Sequence, residues 1–282
     1  MIKKLNTVLF VALLLLLGLK MAKDKLADVP SAPTAVVPSA PVRNAEFAPT
    51  VYYVTWAPFA ISNPVTKRNG YLLDLVRIVF PNARFVRVYG TARDLAAKLR
   101  EDPSCVLCEH GEHPLLKDSV LAPTPLLRRE ISVYTVRSNP WVYDGVASLE
   151  KLCLSVTEDD LDSKVVRAHY EKFKDDPKRV RFFTGTLRDN VDWRDELMSK
   201  RIDGYVNTRL VSVKSSLLGA LAEQMLWASI SEPIDTVDVR LTVSSRDPNY
   251  ARQLIDAYER GLKEAEASGE LRRLRDYYGI TQ

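Results

Sequence analysis

The chain has 282 residues, 46% hydrophobic and 27% charged, which is enough apolar material for one or two packed domains. Lys and Arg number 40 against 36 Asp and Glu, a net of +4 with the signs interspersed, which argues against a nucleic-acid partner. The basic run Arg272-Arg273-Leu274-Arg275 has Glu266, Glu270 and Asp276 beside it and reads as a solvated helix face.

Residues 1–22 read as an export segment. Lys3 and Lys4 precede an apolar run, Thr7–Leu19, with five consecutive leucines. At ~1.5 Å per helical residue this has the length of a signal-peptide core and falls short of a ~30 Å hydrocarbon layer. Cleavage after Ala22 would put Lys20 where a small residue is preferred. A cleaved signal peptide and an uncleaved anchor with flanking residues both remain open, and no cysteine follows closely to carry a lipid. Either way the expected location is periplasmic, free or held at the inner membrane. Residues 23–49 carry Val-Pro-Ser-Ala-Pro twice and read as an extended Pro/Ala-rich spacer, since proline removes donors and small residues build no core.

From Val51 short strands alternate with helices. Val51–Trp56 is a β-branched and aromatic strand; Tyr71–Phe80 is a helix with its apolar positions 72, 75, 76 and 79 on one face. Arg84–Val88 is a strand, Thr91–Arg100 a helix capped by Thr91, Cys105–Cys108 a strand and Glu130–Val136 another. A second set comprises strand Cys153–Val156, helix Leu161–Phe173, strand Arg179–Phe183, helix Asp192–Arg201, strand Ile202–Val206 and helix Val211–Gln224. Strands Met225–Ile230 and Val237–Val243 lead into helices Asn249–Ala267 and Glu270–Tyr278. This alternation predicts an α/β fold with a mostly parallel sheet in each half. No glycine-rich phosphate loop appears, and no cofactor is expected.

The stretch Ser104–Pro125, SCVLCEHGEHPLLKDSVLAPTP, carries most of the chemistry. A buried strand opens into a loop with His110, His113, Glu109 and Glu112, then leaves through a Pro-punctuated segment. Loops at the ends of such strands are where α/β folds hold ligands. Cys105, Cys108, His110 and His113 also form a candidate metal set, but Cys105 and Cys108 point to opposite faces of one strand and cannot both converge. The same spacing, roughly 10 Å, forbids a disulfide between them, so any bridge would involve Cys153; buried free thiols are the other reading. Lining of a cleft by His110, Glu112 and His113 without metal is the reading carried forward.

Four stretches resemble the amino-acid-type (family 3) extracellular solute-binding proteins. Asn69-Gly70-Tyr71-Leu72-Leu73-Asp74-Leu75 resembles the family's segment after the first strand. Ser148-Leu149-Glu150-Lys151-Leu152 resembles the entry to its second lobe, and Glu196–Gly204 its helix-to-strand step. The closing segment Tyr258–Tyr278, with Ser268-Gly269-Glu270-Leu271 and Tyr277-Tyr278-Gly279, resembles the family's end. The resemblance implies the type II periplasmic binding protein fold: two lobes joined by two crossing strands, with lobe 1 at 50–130 plus 240–282 and lobe 2 at 131–239. It further implies a small-molecule ligand in the cleft between lobes and an inner-membrane permease of an ABC transporter as partner.

The residues implied at the cleft depart from the family pattern. His113-Pro114-Leu115-Leu116 puts leucine where the family's Thr-x-x-Arg carries its carboxylate-gripping arginine. Thr157-Glu158-Asp159-Asp160 puts charges that repel an anion where the family offers backbone amides, and Asn207 replaces an acidic residue. An ordinary α-amino acid is therefore not the expected ligand. Trp56, Tyr71, His110, Glu112, His113, Lys117, Thr157, Asn207 and Arg209 are the candidate ligand contacts. Asp74 reads as a loop-anchoring carboxylate, and His169 as a surface residue. No nucleophile–base pair is legible, so the expectation is a non-enzyme. Two alternatives stand beside the solute-binding reading: a membrane-tethered sensory or interaction module, and an enzyme using Glu109, His110, Glu112 and His113 as acid/base groups.

Overall fold

The computed structural model describes residues 44–56, 59–61, 69–184, 193–209 and 228–280. The apolar export segment, the spacer up to residue 43, the expected helix Val211–Gln224 and the first three residues of the expected strand Met225–Ile230 lie outside the described residues. Among the described residues no helix is long and apolar enough to cross a membrane. The strands are β1 Thr50–Tyr53, β2 Arg84–Arg87, β3 Cys105–Leu107, β4 Ser119–Val136, β5 Leu154–Thr157, β6 Val180–Phe183, β7 Gly204–Thr208, β8 Ala228–Ile230 and β9 Asp235–Ser244. The helices are α1 Tyr71–Val79, α2 Ala92–Glu101, α3 Lys164–Phe173, α4 Trp193–Met198, α5 Pro248–Ala267 and α6 Glu270–Tyr278.

The strands hydrogen-bond in the order β2-β1-β3-β9-β4-β7-β5-β6, with β8 added to β4. Pairs β1–β2, β1–β3, β5–β6 and β5–β7 are parallel. The expectation of a mostly parallel sheet in each half fails at the centre, where β3–β9, β4–β9, β4–β7 and β4–β8 are antiparallel. Strand β4 is also far longer than the strand expected at Glu130–Val136. It runs straight through Pro123 and Pro125, where its register against β9 shifts and ladder donors are not needed.

The apolar side chains nonetheless form separate cores. One holds Val51, Leu72, Val76, Leu126, Leu127, Val239, Leu241, Leu254 and Tyr258. Another holds Ile131, Val133, Leu154, Val156, Val166, Val180 and Val237. The division falls between Leu127 and Ile131 on β4 and between Val237 and Val239 on β9. Among the described residues those two strands carry the chain's sheet from one core to the other.

Local chemistry explains the elements that flank this waist. Thr91 caps α2 by accepting from the Arg93 amide, while Asp94 accepts from the Thr91 amide at 2.8 Å. Helix α3 starts at Lys164, later than expected, because Glu158–Asp162 forms its own 3₁₀ turn and Ser163 becomes the cap. The Ser163 hydroxyl in turn donates to Asp235 at 2.7 Å. Gly269, at φ 74°, makes the left-handed break between α5 and α6.

Three details differ from expectation. Residues 44–49 are docked, not part of a free spacer: Asn44 Nδ2 donates to the Val79 and Ala257 carbonyls, and Phe47 packs edge-on to Phe80. His169 is buried against Phe173, because it lies on the inner face of α3. Asp74 anchors as expected, accepting from Tyr278 Oη at 2.5 Å and Asn69 Nδ2 at 3.1 Å.

Candidate functional site

The loop after β3 turns inward. Glu109, His110 and His113 are all buried. Glu109 Oε2 accepts from the Val54 amide at 3.0 Å, tying the loop to the end of β1. Gly111 lies so close to β9 that a Cβ there would meet the Asp238 carbonyl at 2.4 Å. Only glycine lets the loop reach the waist. His113 Nδ1 accepts from the Leu115 amide at 3.2 Å, so its Nε2 carries the proton and donates to the Glu158 carbonyl at 2.9 Å. Both nitrogens are thereby used by a neutral ring. Burial, and then His110 beside it, lower the His113 pKa from its usual range.

The opposing surface is the acidic turn Glu158–Asp162. Thr157 and Asp160 close a capping box that shapes it. Glu158 Oε2 accepts from the Thr91 hydroxyl at 3.0 Å, and its Oε1 accepts from Arg93 Nη2 at 2.6 Å. Asp159 Oδ1 accepts from the Ala92 amide at 2.9 Å. Asp162 is fully enclosed, and Arg129 Nη2 donates to both its oxygens at 2.5 Å. Arg129 also donates to Thr208 Oγ1 and lies 5.4 Å from the centre of the Trp56 ring. Burial alone would raise the Asp162 carboxyl, but Arg129, with His110 and His113 nearby, holds it at about 2. His110 Nδ1 stands 3.7 Å from Asp162, and neither ring nitrogen makes a hydrogen bond among the described residues.

The remaining candidates are scattered around this junction. Trp56 is half-buried, its ring 4.5 Å from that of Phe59. Tyr71, expected at the ligand, is 1% exposed; it packs edge-on to Tyr278 and donates to the Leu126 carbonyl, in the core. Its helix turns it inward with Leu72 and Leu75, away from the loop ends. Glu112 is exposed and pairs with Lys164 at 3.5 Å. Lys117 is exposed on a groove of about 290 Å³ that it shares with His113 and Arg167. Thr157 serves the capping box. Asn207 Oδ1 accepts from the Thr208 amide at 2.8 Å, and Arg209 pairs with Glu232 at 2.9 Å. A second groove, about 560 Å³, runs beside the waist; its Arg128 and Arg240 both pair with Asp238 at 2.9 Å.

Cys105, Cys108 and Cys153 are free thiols. Cys105 and Cys108 enter different apolar cores, as the strand's alternation requires. Among the described residues no three His, Cys, Asp or Glu side chains gather to hold a metal. Sequence reasoning missed Arg129, Asp162 and the Thr91–Arg93 partners of Glu158 and Asp159. The acidic run at 158–160 was visible, but no local pattern indicated what faces it.

Solved structures align over most of the chain. The sensor domain of a histidine kinase with similarity to periplasmic binding proteins matches at TM-score 0.62 and 13% identity, covering 82% of this chain and 95% of that one. An ancestral arginine-binding protein bound to arginine matches at 0.60 and 15%, covering 81% and 96%. The ligand-binding core of GluR0 from Nostoc punctiforme, in complex with L-glutamate, matches at 0.59 and 12%, covering 83% and 100%. No protein-family model and no curated protein matches the sequence. The chain has the type II periplasmic binding protein fold. Among the described residues, β4 and β9 contribute side chains to both of the two largest apolar clusters.

Proposed function

We propose that this chain is an extracytoplasmic solute-binding protein that captures a small polar ligand between its lobes. The observation that carries this reading is the waist: two separate cores joined through β4 and β9, with buried polar side chains from both sides meeting across it. Such a joint bends, and bending closes polar walls over a solute while excluding water. The lobes divide as 50–130 plus 240–282 and 131–239. The ligand set is Trp56, His110, Glu112, His113, Lys117, Thr157, Asn207 and Arg209; Tyr71 is withdrawn because it is core. An ordinary α-amino acid does not suit the site, since Leu116 is buried in its own core and Glu158–Asp160 presents carboxylates. Residues 1–22 supply export, and an inner-membrane permease is the partner. Thermal-shift screening of small metabolites and divalent metals tests this reading; stabilisation by none of them would count heavily against it.

A second reading is a membrane-tethered sensory or interaction module. What favours it is that His113, Thr157, Asn207 and Arg209 already have protein partners. The likeness to a histidine kinase sensor domain points the same way. The mass of the mature N-terminus separates the two: an intact Met1 supports the tether, and a start near Lys23 the free binder.

A further inference from the structure

We propose that Glu158 and Asp159 act as a built-in anionic ligand for the Thr91–Arg93 helix start, so that the chain itself supplies the anionic groups that draw its lobes together. This rests on the two-lobed reading and adds to it what holds the closed state.

The first amides of a helix have no acceptor within it, and the positive end of its dipole favours carboxylates. In α2 the local cap meets only part of that need. Asp94 takes the Thr91 amide, and Thr91 Oγ1 accepts from the Arg93 amide at 3.3 Å. The Ala92 amide is left over. Asp159 Oδ1 reaches it from the other lobe at 2.9 Å. Glu158 divides its two oxygens between the Thr91 hydroxyl and the Arg93 fork, with Arg93 Nε at 3.2 Å and Nη2 at 2.6 Å. The Glu158 side chain is 5% exposed while Arg93 is 67% exposed, so the carboxylate seats in the lobe rather than lying on its surface.

Neighbouring contacts run between the same two lobes, from the loop after β3 to the acidic turn and the start of α3. His113 Nε2 donates to the Glu158 carbonyl, Glu112 pairs with Lys164, and Arg167 Nη1 donates to the Glu112 carbonyl at 3.4 Å. Beyond the local Asp94 cap, the carboxylates on the helix start come from the acidic turn, while Thr91, Ala92 and Arg93 donate to them from the opposite lobe. Opening returns Glu158 and Asp159 to water, so the closure is reversible rather than a permanent weld. A solute bearing a carboxylate would compete with Glu158 for this position instead of bridging the lobes.

The Ala92 amide is a direct reporter, because its protection depends on a contact from the other lobe. Hydrogen exchange on the full chain in plain buffer is expected to show Ala92 slowed at least roughly tenfold against an unstructured amide, as a hydrogen bond to a charged acceptor gives. Asp159→Ala is expected to remove that slowing, and Asp159→Asn to keep part of it. The double variant Glu158→Ala/Asp159→Ala is expected to raise the radius of gyration in X-ray scattering. Amides of β3 and β5 remain protected if both lobes are folded. Should Asp159→Ala fail that control, Arg93→Gln at its exposed position weakens the same joint and is read at Ala92. Fast Ala92 exchange in the wild-type chain, or exchange and scattering unchanged in folded variants, overturns the proposal. A ligand screen without hits leaves the Ala92 result standing, so the two readings fail separately.

Discussion

Replacing Arg129 by Met tests the energetics of the waist. Asp162 has no solvent exposure, and its pair with Arg129 supplies both of its short contacts. Methionine keeps most of the apolar stem but removes the guanidinium, whose central carbon lies 5.4 Å from the centre of the Trp56 ring. A carboxylate is then left enclosed without its cation, a loss of roughly 3–5 kcal/mol. For a chain of this size each kcal/mol moves the melting temperature by roughly 2–4 °C, so a fall of about 6–20 °C is expected. Urea unfolding followed by circular dichroism measures the free energy directly. The variant Arg129→Met/Asp162→Asn removes the stranded charge as well, and is expected to recover more than half of the loss. If Arg129→Met alone costs less than about 1 kcal/mol, the pair behaves as an exposed one and the reasoning is refuted.

Acid should weaken the same site. Burial pushes the Asp162 carboxyl up and Arg129 overrides it, leaving a folded pKa of about 2 against the ordinary 3.8. A lowered folded pKa means stability present above about pH 4 and lost as the pH falls towards 2, amounting to about 2 kcal/mol; Asp162→Asn should flatten that part of an acid titration. The lowered pKa of His113 has the same sign: its contribution is complete above the ordinary histidine range and declines as the pH falls below it. His113→Gln should remove that decline from a stability profile taken between pH 7 and 5. Tyr278→Phe deletes the 2.5 Å bond to Asp74 and should cost about 1–2 kcal/mol in urea unfolding; no measurable loss would mean that α6 is not held through Asp74. Cys153 is partly exposed while Cys105 and Cys108 are enclosed, so a thiol reagent should label Cys153 first; equal rates would contradict the packing of β3.

Most helices and strands were legible because each answers to a short-range rule. The apolar stripe of α1 and the Thr91-x-x-Asp94 cap of α2 can be read off neighbouring residues. So can the Gly269 break before α6, and the alternation that keeps Cys105 and Cys108 apart. The length of β4 was not, because two prolines look like a turn until a partner strand with matching irregularity is known. Tyr71 looked like a ligand contact from its motif, but which side of α1 faces the core depends on α6 lying beside it. The burial of His169 likewise depended on which face of α3 meets the sheet.

The candidate site divides along the same line. Sequence alone determined that His110, Glu112 and His113 share one loop at a strand end, and that Glu158–Asp160 is an acidic run. Those are statements about residues within a few positions of one another. Tertiary structure decided that Glu158 and Asp159 meet Thr91–Arg93 across 67 positions, and that Arg129 finds Asp162 across 33. Pairing of charges so far apart follows from the packing of two lobes on crossing strands. Coulomb attraction falls with distance through space, and distance along the chain says nothing about it until the fold is known.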